Sequence, residues 1–183
     1  ATALESSMTE RERDTLRALA RWRDGQFLVA AEIFEQLLRR WPRDLLALKA
    51  VEFLYYVMGQ QHMGDRFLAL VEDVAPSNPG DADVLAVWAF ASELTGRTDR
   101  AIDLAEQALA LEPHTPWAQH ALAHALIVRG DPPEAIDRLR SFVPVWETSG
   151  RVIWCHNAWP LRSRCSTGSS WRTPTRCSGR TSG

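Results

Sequence analysis

Four glycines, Gly25, Gly59, Gly96 and Gly130, punctuate the chain at intervals of 34, 37 and 34 residues. Three prolines, Pro42, Pro76 and Pro113, fall at intervals of 34 and 37. This double punctuation constrains the fold more than any other feature of the 183 residues. Each interval must hold the same unit, and glycine and proline mark where helices stop. Between the marks, apolar residues recur at helical period. Leu16, Leu19, Ala20 and Trp22 form one stripe before Asp24-Gly25. Phe27, Ala30, Ile33, Phe34, Leu37 and Leu38 form a second, stopped at Trp41-Pro42. The plan repeats as helices over 45–58 and 66–74, then 84–94 and 100–111, then 117–128 and 134–143, the last ending near Pro144. The three extra residues of the middle interval fit the turn S-N-P-G-D-A-D at 77–83.

A unit of 34 residues with two helices is the tetratricopeptide signature. Five residues after each glycine stand Ala30, Gly64, Ala101 and Ala135, small where two helices must approach closely. Four further on stand Phe34, Leu68, Ala105 and Leu139, the residues that fill between them. Gly64 departs from the usual alanine, and the fourth unit lacks its closing proline. The predicted fold is all-α: a right-handed superhelix, or solenoid, of tetratricopeptide-like hairpins. Residues 1–9 are a flexible lead-in, and 10–149 hold four repeats at about 11–44, 45–78, 82–115 and 116–149. Residues 150–159 start a fifth. Such hairpins bury their apolar faces only by stacking, and the first helix of each pair makes the inner wall.

Composition excludes several classes. The formal net charge is −2, so neither a nucleic-acid footprint nor an acidic disordered chain follows. No apolar run reaches the ~18 residues of a membrane span, and the first residues lack a signal-peptide pattern. Cys155, Cys165 and Cys177 form neither a disulfide framework nor a metal finger. The expectation is a soluble cytoplasmic protein with no nucleic-acid or membrane partner. Of 21 basic residues, only Lys49 is a lysine, a bias that with abundant alanine suggests a GC-rich gene.

No nucleophile elbow, phosphate loop, dinucleotide glycine motif or H-E-x-x-H occurs. The one constellation is based on histidine. His120 and His124 lie four residues apart behind Trp117, on one face of a helix. By resemblance to tetratricopeptide arrays, Trp117, His120, His124 and Ile127 face the concave groove. The corresponding positions upstream are Leu46, Lys49, Phe53 and Tyr56, then Asp83, Ala86, Phe90 and Glu93. Trp22 and Trp117 are the aromatic candidates for anchoring a peptide in that groove. Trp41, Trp88 and Trp146 are read as packing residues, and His62 and His114 as solvated turn residues. His156 occupies an equivalent inner place on the next helix, so His120, His124 and His156 are candidate ligands for a divalent metal. Proton transfer is the other chemistry open to them. Against both stands the plain reading, in which the imidazoles only shape a polar groove.

Three segments carry a narrower resemblance: D-L-L-A-L-K-A at 44–50, W-A-Q-H-A-L-A-H-A at 117–125, and H-N-A-W at 156–159. Together they resemble the tetratricopeptide repeat protein 38 family over roughly residues 20–159. That family has W-A-x-H-A-x-A-H in one repeat and H-N-x-W-H at the start of the next. The resemblance implies the repeat fold and no assigned activity. It breaks at Pro160, where the pattern would place histidine. Residues 160–183 are rich in Arg, Ser and Thr, hold no acid and have no helical period. They read either as a disordered basic tail or as the product of a shifted frame. One added nucleotide in a permitted codon set turns W-P-L-R-S-R-C-S-T into W-H-L-A-L-A-V-L-D, an amphipathic start to a fifth repeat.

These features predict a peptide-binding scaffold that works through its concave groove, without catalytic residues or a required cofactor. The alternative is a histidine-lined site for a metal or small ligand, catalytic in intact relatives. A last hairpin lacking its cap predicts self-association through the C-terminal repeat.

Overall fold

The computed structural model describes residues 8–149. Within them the chain forms eight α-helices and one short 3₁₀ turn, with no strand. They are α1 (Glu10–Arg23), α2 (Phe27–Arg40), α3 (Leu45–Met58), α4 (Gln60–Val74), α5 (Ala82–Leu94), α6 (Thr98–Leu111), α7 (Pro116–Arg129) and α8 (Pro132–Ser149). Each helix packs on the next in sequence, and α5 also packs on α7. This is an all-α solenoid of tetratricopeptide-like hairpins.

Local chemistry starts and stops the helices. Thr9 and Glu12 form a reciprocal capping box at α1, where the Glu12 carboxylate accepts the Thr9 backbone N–H at 2.7 Å. Asp44 accepts the Ala47 N–H at 3.0 Å, and Asp81 accepts those of Asp83 and Val84, each at 3.0 Å. Each such cap stabilises its helix by about 1 kcal/mol. At the far end of α7, Gly130 adopts φ 93°, a left-handed conformation that only glycine takes without a penalty from Cβ. The Asp131 N–H then bonds back to the Leu126 carbonyl at 2.9 Å. The same long bond recurs from Gln26 to Arg21 and from Arg97 to Ser92, so three hairpins turn alike.

The second hairpin differs. After Gly59 the chain reverses at once and α4 begins at the next residue, six residues before the predicted start. His62 is therefore in the first turn of α4, exposed, rather than in a loop. Met63, Phe67, Leu70, Val71 and Val74 hold the apolar period, so the helix needs no spacer. At the C-terminal end, α8 runs past Pro144, which the sequence reading placed at its stop. Trp146 supplies the reason. Its indole Nε1–H donates to the fully buried Gln119 at 2.6 Å, and Gln119 in turn donates to the Pro113 carbonyl at 2.9 Å. This anchor lies beyond the single amide that proline lacks.

The core runs along the hairpins as one apolar cluster from Ala18 to Ala135. A buried polar network crosses it. The Tyr55 hydroxyl donates to Glu35, and Arg66 pairs with the same carboxylate at 2.7 Å, tying α2, α3 and α4 together. Burial, and then the hydrogen bond to Glu35, push the Tyr55 hydroxyl well above its ordinary range. Successive loops are joined by Asn78, which donates to the Pro42 carbonyl at 2.9 Å, and by Arg43, which donates to the Ser77 carbonyl at 2.9 Å.

Candidate functional site

The inner helices α3, α5 and α7 bring most of the predicted groove residues together. Their register explains how. Lys49 on α3, Ala86 on α5 and His120 on α7 occupy equivalent repeat positions. Ala86 and its neighbour Ala89 are fully buried and short, leaving room above α5 for side chains of α3 to meet those of α7. The Lys49 ammonium accordingly lies 4.1 Å from the centroid of the Trp117 ring. A cation on an indole face stabilises by about 0.5–2 kcal/mol, more as water is excluded.

From Trp117 a stack continues along α7. The Trp117 and His120 rings are 4.9 Å apart with 13° between their planes, and His120 and His124 are 4.4 Å apart at 21°. Phe90 on α5 lies under this stack, edge-on to Trp117 at 5.4 Å and to His120 at 6.2 Å. It is 4% exposed, so it forms the floor and is no contact point for a ligand. Burial pushes His120 down to about 4, with smaller contributions from His124 and the Lys49 charge. Burial also lowers His124. Both imidazoles are therefore neutral at physiological pH.

Glu52, absent from the predicted residues, is the centre of this region. It is 3% exposed, ion-paired with Lys49 and capable of further bonds, since neither of its oxygens accepts a hydrogen bond of normal geometry. Burial raises its carboxyl above the usual range, while the Lys49 ammonium and the Trp117 indole N–H pull it back. A sequence signal did exist: a glutamate one helical turn from the only lysine and next to Phe53, on the side of α3 that carries Leu48 and Tyr55. Glu93 stands one turn beyond Phe90, with one oxygen buried and unbonded, and burial raises its carboxyl too.

The remaining predicted residues form a second patch. Phe53 is 51% exposed, with the Trp22 ring centroid 5.6 Å from its own. Tyr56 is 56% and Leu46 71% exposed. With Val57, these residues follow one another along a face of α3 at helical spacing.

As metal ligands, His120 and His124 are two neutral imidazoles whose stacked faces leave their ring edges side by side. Among the described residues no group of three or more His, Cys, Asp or Glu is placed to hold a metal ion. The third predicted ligand, His156, lies outside the described residues, as do the fifth-repeat start at 150–159, the tail at 160–183 and the first seven residues of the lead-in. Among the described residues no helix is long and apolar enough to cross a membrane.

Comparison with known proteins agrees with this architecture. Two family profiles, each described as tetratricopeptide repeat, match residues 94–142 and 15–51. Cellulose synthase 2 operon protein C of Komagataeibacter xylinus is 33% identical over 114 residues, which is 62% of this chain. The chain spans 9% of the length of that relative. Among solved structures, TTC0263, a thermophilic TPR protein of Thermus thermophilus, matches with a TM-score of 0.63 at 24% identity, over 88% of this chain and 82% of that one. MamA from Desulfovibrio magneticus RS-1 matches with a TM-score of 0.60 at 16% identity, over 76% and 77%. At these identities the structural likeness concerns the fold.

Proposed function

We propose that this chain, a solenoid of tetratricopeptide-type repeats, is a non-catalytic scaffold that binds a peptide segment of a partner protein on its inner face. The observation that carries the reading is the apolar face of α3. Leu46, Phe53, Tyr56 and Val57 are large, apolar or aromatic, and exposed in sequence along one face of α3. A run of exposed aromatic and aliphatic side chains in a concavity suits the anchor residues of a helical or extended peptide. The finer resemblance to the tetratricopeptide repeat protein 38 family rests on the segments at 117–125 and 156–159, and it adds no activity to this reading.

Selection from a displayed random-peptide library tests it. The chain should enrich sequences with spaced aromatic or aliphatic anchors, and a Phe53→Glu, Tyr56→Glu variant should lose them by about 100-fold or more. Equal enrichment on the double variant would remove α3 from the binding surface and overturn the proposal.

A further inference from the structure

Lys49, Glu52 and Trp117 make up a cation site with an internal occupant. The walls are an indole face and a buried carboxylate, and the ammonium between them comes from the chain itself. The fit is imperfect in a specific way. Glu52 is almost wholly buried, yet Lys49 presents a compact point charge to it and neither carboxylate oxygen accepts a hydrogen bond of normal geometry. The Trp117 indole N–H is buried beside the same carboxylate and bonds to it only in poor geometry. Leaving such groups poorly satisfied disfavours the closed arrangement. The occupant is also partly in water. The Lys49 side chain is 45% exposed and sits on a flexible stem that can swing into solvent.

A guanidinium satisfies what the ammonium leaves unmet. It is planar, so it can lie on the Trp117 ring while sending two parallel N–H donors to the two Glu52 oxygens. The exposed face of α3 begins at this place, since Lys49 lies between Leu46 and Phe53 on the same helix. We propose that the Glu52–Trp117 site receives an arginine side chain of the bound peptide, with Lys49 as a resident competitor that must move aside.

This deepens the scaffold reading and rests on it for the identity of the ligand, but the site can be tested without any peptide partner. The probe is propylguanidinium, titrated by calorimetry into the full chain and its variants. Lys49→Ala should bind it at least about 10-fold more tightly than the unsubstituted chain, and Lys49→Ala with Glu52→Gln should lose that gain. Lys49→Met keeps the length of the stem without its charge and serves where the alanine variant fails to fold. Propylammonium should bind Lys49→Ala more weakly than propylguanidinium. No gain on removing Lys49, or a gain that survives Glu52→Gln, would overturn the site. The library experiment separates the two proposals. Enriched peptides that lack arginine, with affinities indifferent to Glu52→Gln, would sink the arginine site and leave the scaffold reading standing.

Discussion

The inner face has two halves built on one register and finished differently. In the half formed by α5 and α7, Phe90 lies under Trp117 and His120 and is 4% exposed. In the half formed by α1 and α3, Phe53 holds the equivalent position and is 51% exposed, with the Trp22 ring beside it. The repeat puts the same kind of residue at the same place. What differs is the next helix, which offers Trp117 and the histidine stack in one case, and the short Ala86 and Ala89 in the other. A solenoid can thus close part of its groove and leave the rest open without changing backbone plan. Side-chain size at the inner positions makes the difference.

The largest test of this contrast is a pair of truncations. Trp117→Ala removes a packed indole from the closed half and strands the Lys49 ammonium and the Glu52 carboxylate. Trp117 is partly buried, so its loss should fall toward the low end of the about 3–5 kcal/mol typical of a fully buried large aromatic. Phe53→Ala in the open half should cost less than about 1 kcal/mol, because half of the ring is already in water. Denaturant unfolding of both variants checks this. Similar losses would show that the open half is as packed as the closed one.

Acid should distinguish the halves next. His120 is held near pKa 4 in the folded chain and returns to about 6.5 on unfolding. Between those values the unfolded state binds the proton and the folded state does not. Stability is therefore full above about pH 6.5 and is lost as pH falls toward 4. The shift corresponds to at most about 3 kcal/mol. His124, also lowered by burial, acts in the same direction. Glu52 and Glu93 act oppositely, because their carboxyls are raised by burial and their contribution fades as pH rises through the raised range. A His120→Phe chain isolates the contribution of the histidine: its stability should vary less between about pH 4 and 6.5 than that of the unsubstituted chain. An unchanged acid slope would place His120 in contact with water, outside the closed half.

The fold was legible because period is a property of the chain alone. Glycine and proline at constant spacing, with apolar residues at helical intervals between them, define hairpins whatever they pack against. Exposure was legible only where a helix has neighbours on both sides. Leu16 and Leu19 belong to the periodic stripe of α1, yet they are exposed and the residue that enters the core is Ala18. Among the described residues α1 packs chiefly on α2, so period overstates the face that these helices bury. The signal at Glu52 was easily passed over for a related reason. A charged residue next to Phe53 reads as solvated, and its burial depends on Trp117, 65 positions away, reaching back over α5. Likewise, the turn at Gly59 looked like a longer loop because polar Gln60 and Gln61 mask the start of an amphipathic helix.

The smallest predicted effect lies at the seam between the halves and has the opposite sign. Gly64 sits inside α4, facing the end of α5, at the place where the other repeats carry Ala30, Ala101 and Ala135. A methyl group there would meet the Thr95 methyl at 3.5 Å and the Leu94 carbonyl oxygen at 3.6 Å, both ordinary contacts. Nothing in the helix needs glycine at this point, since Gly64 does not have the positive φ of the turn glycines. Gly64→Ala should therefore stabilise the chain by about 0.5–1 kcal/mol, by restricting the unfolded backbone and improving helix propensity. Thermal unfolding checks the sign. A loss of stability would mean that α4 and α5 approach more closely than a methyl group allows, so that the seam, and with it the opening of the groove, is set by glycine rather than by the side chains of the inner helices.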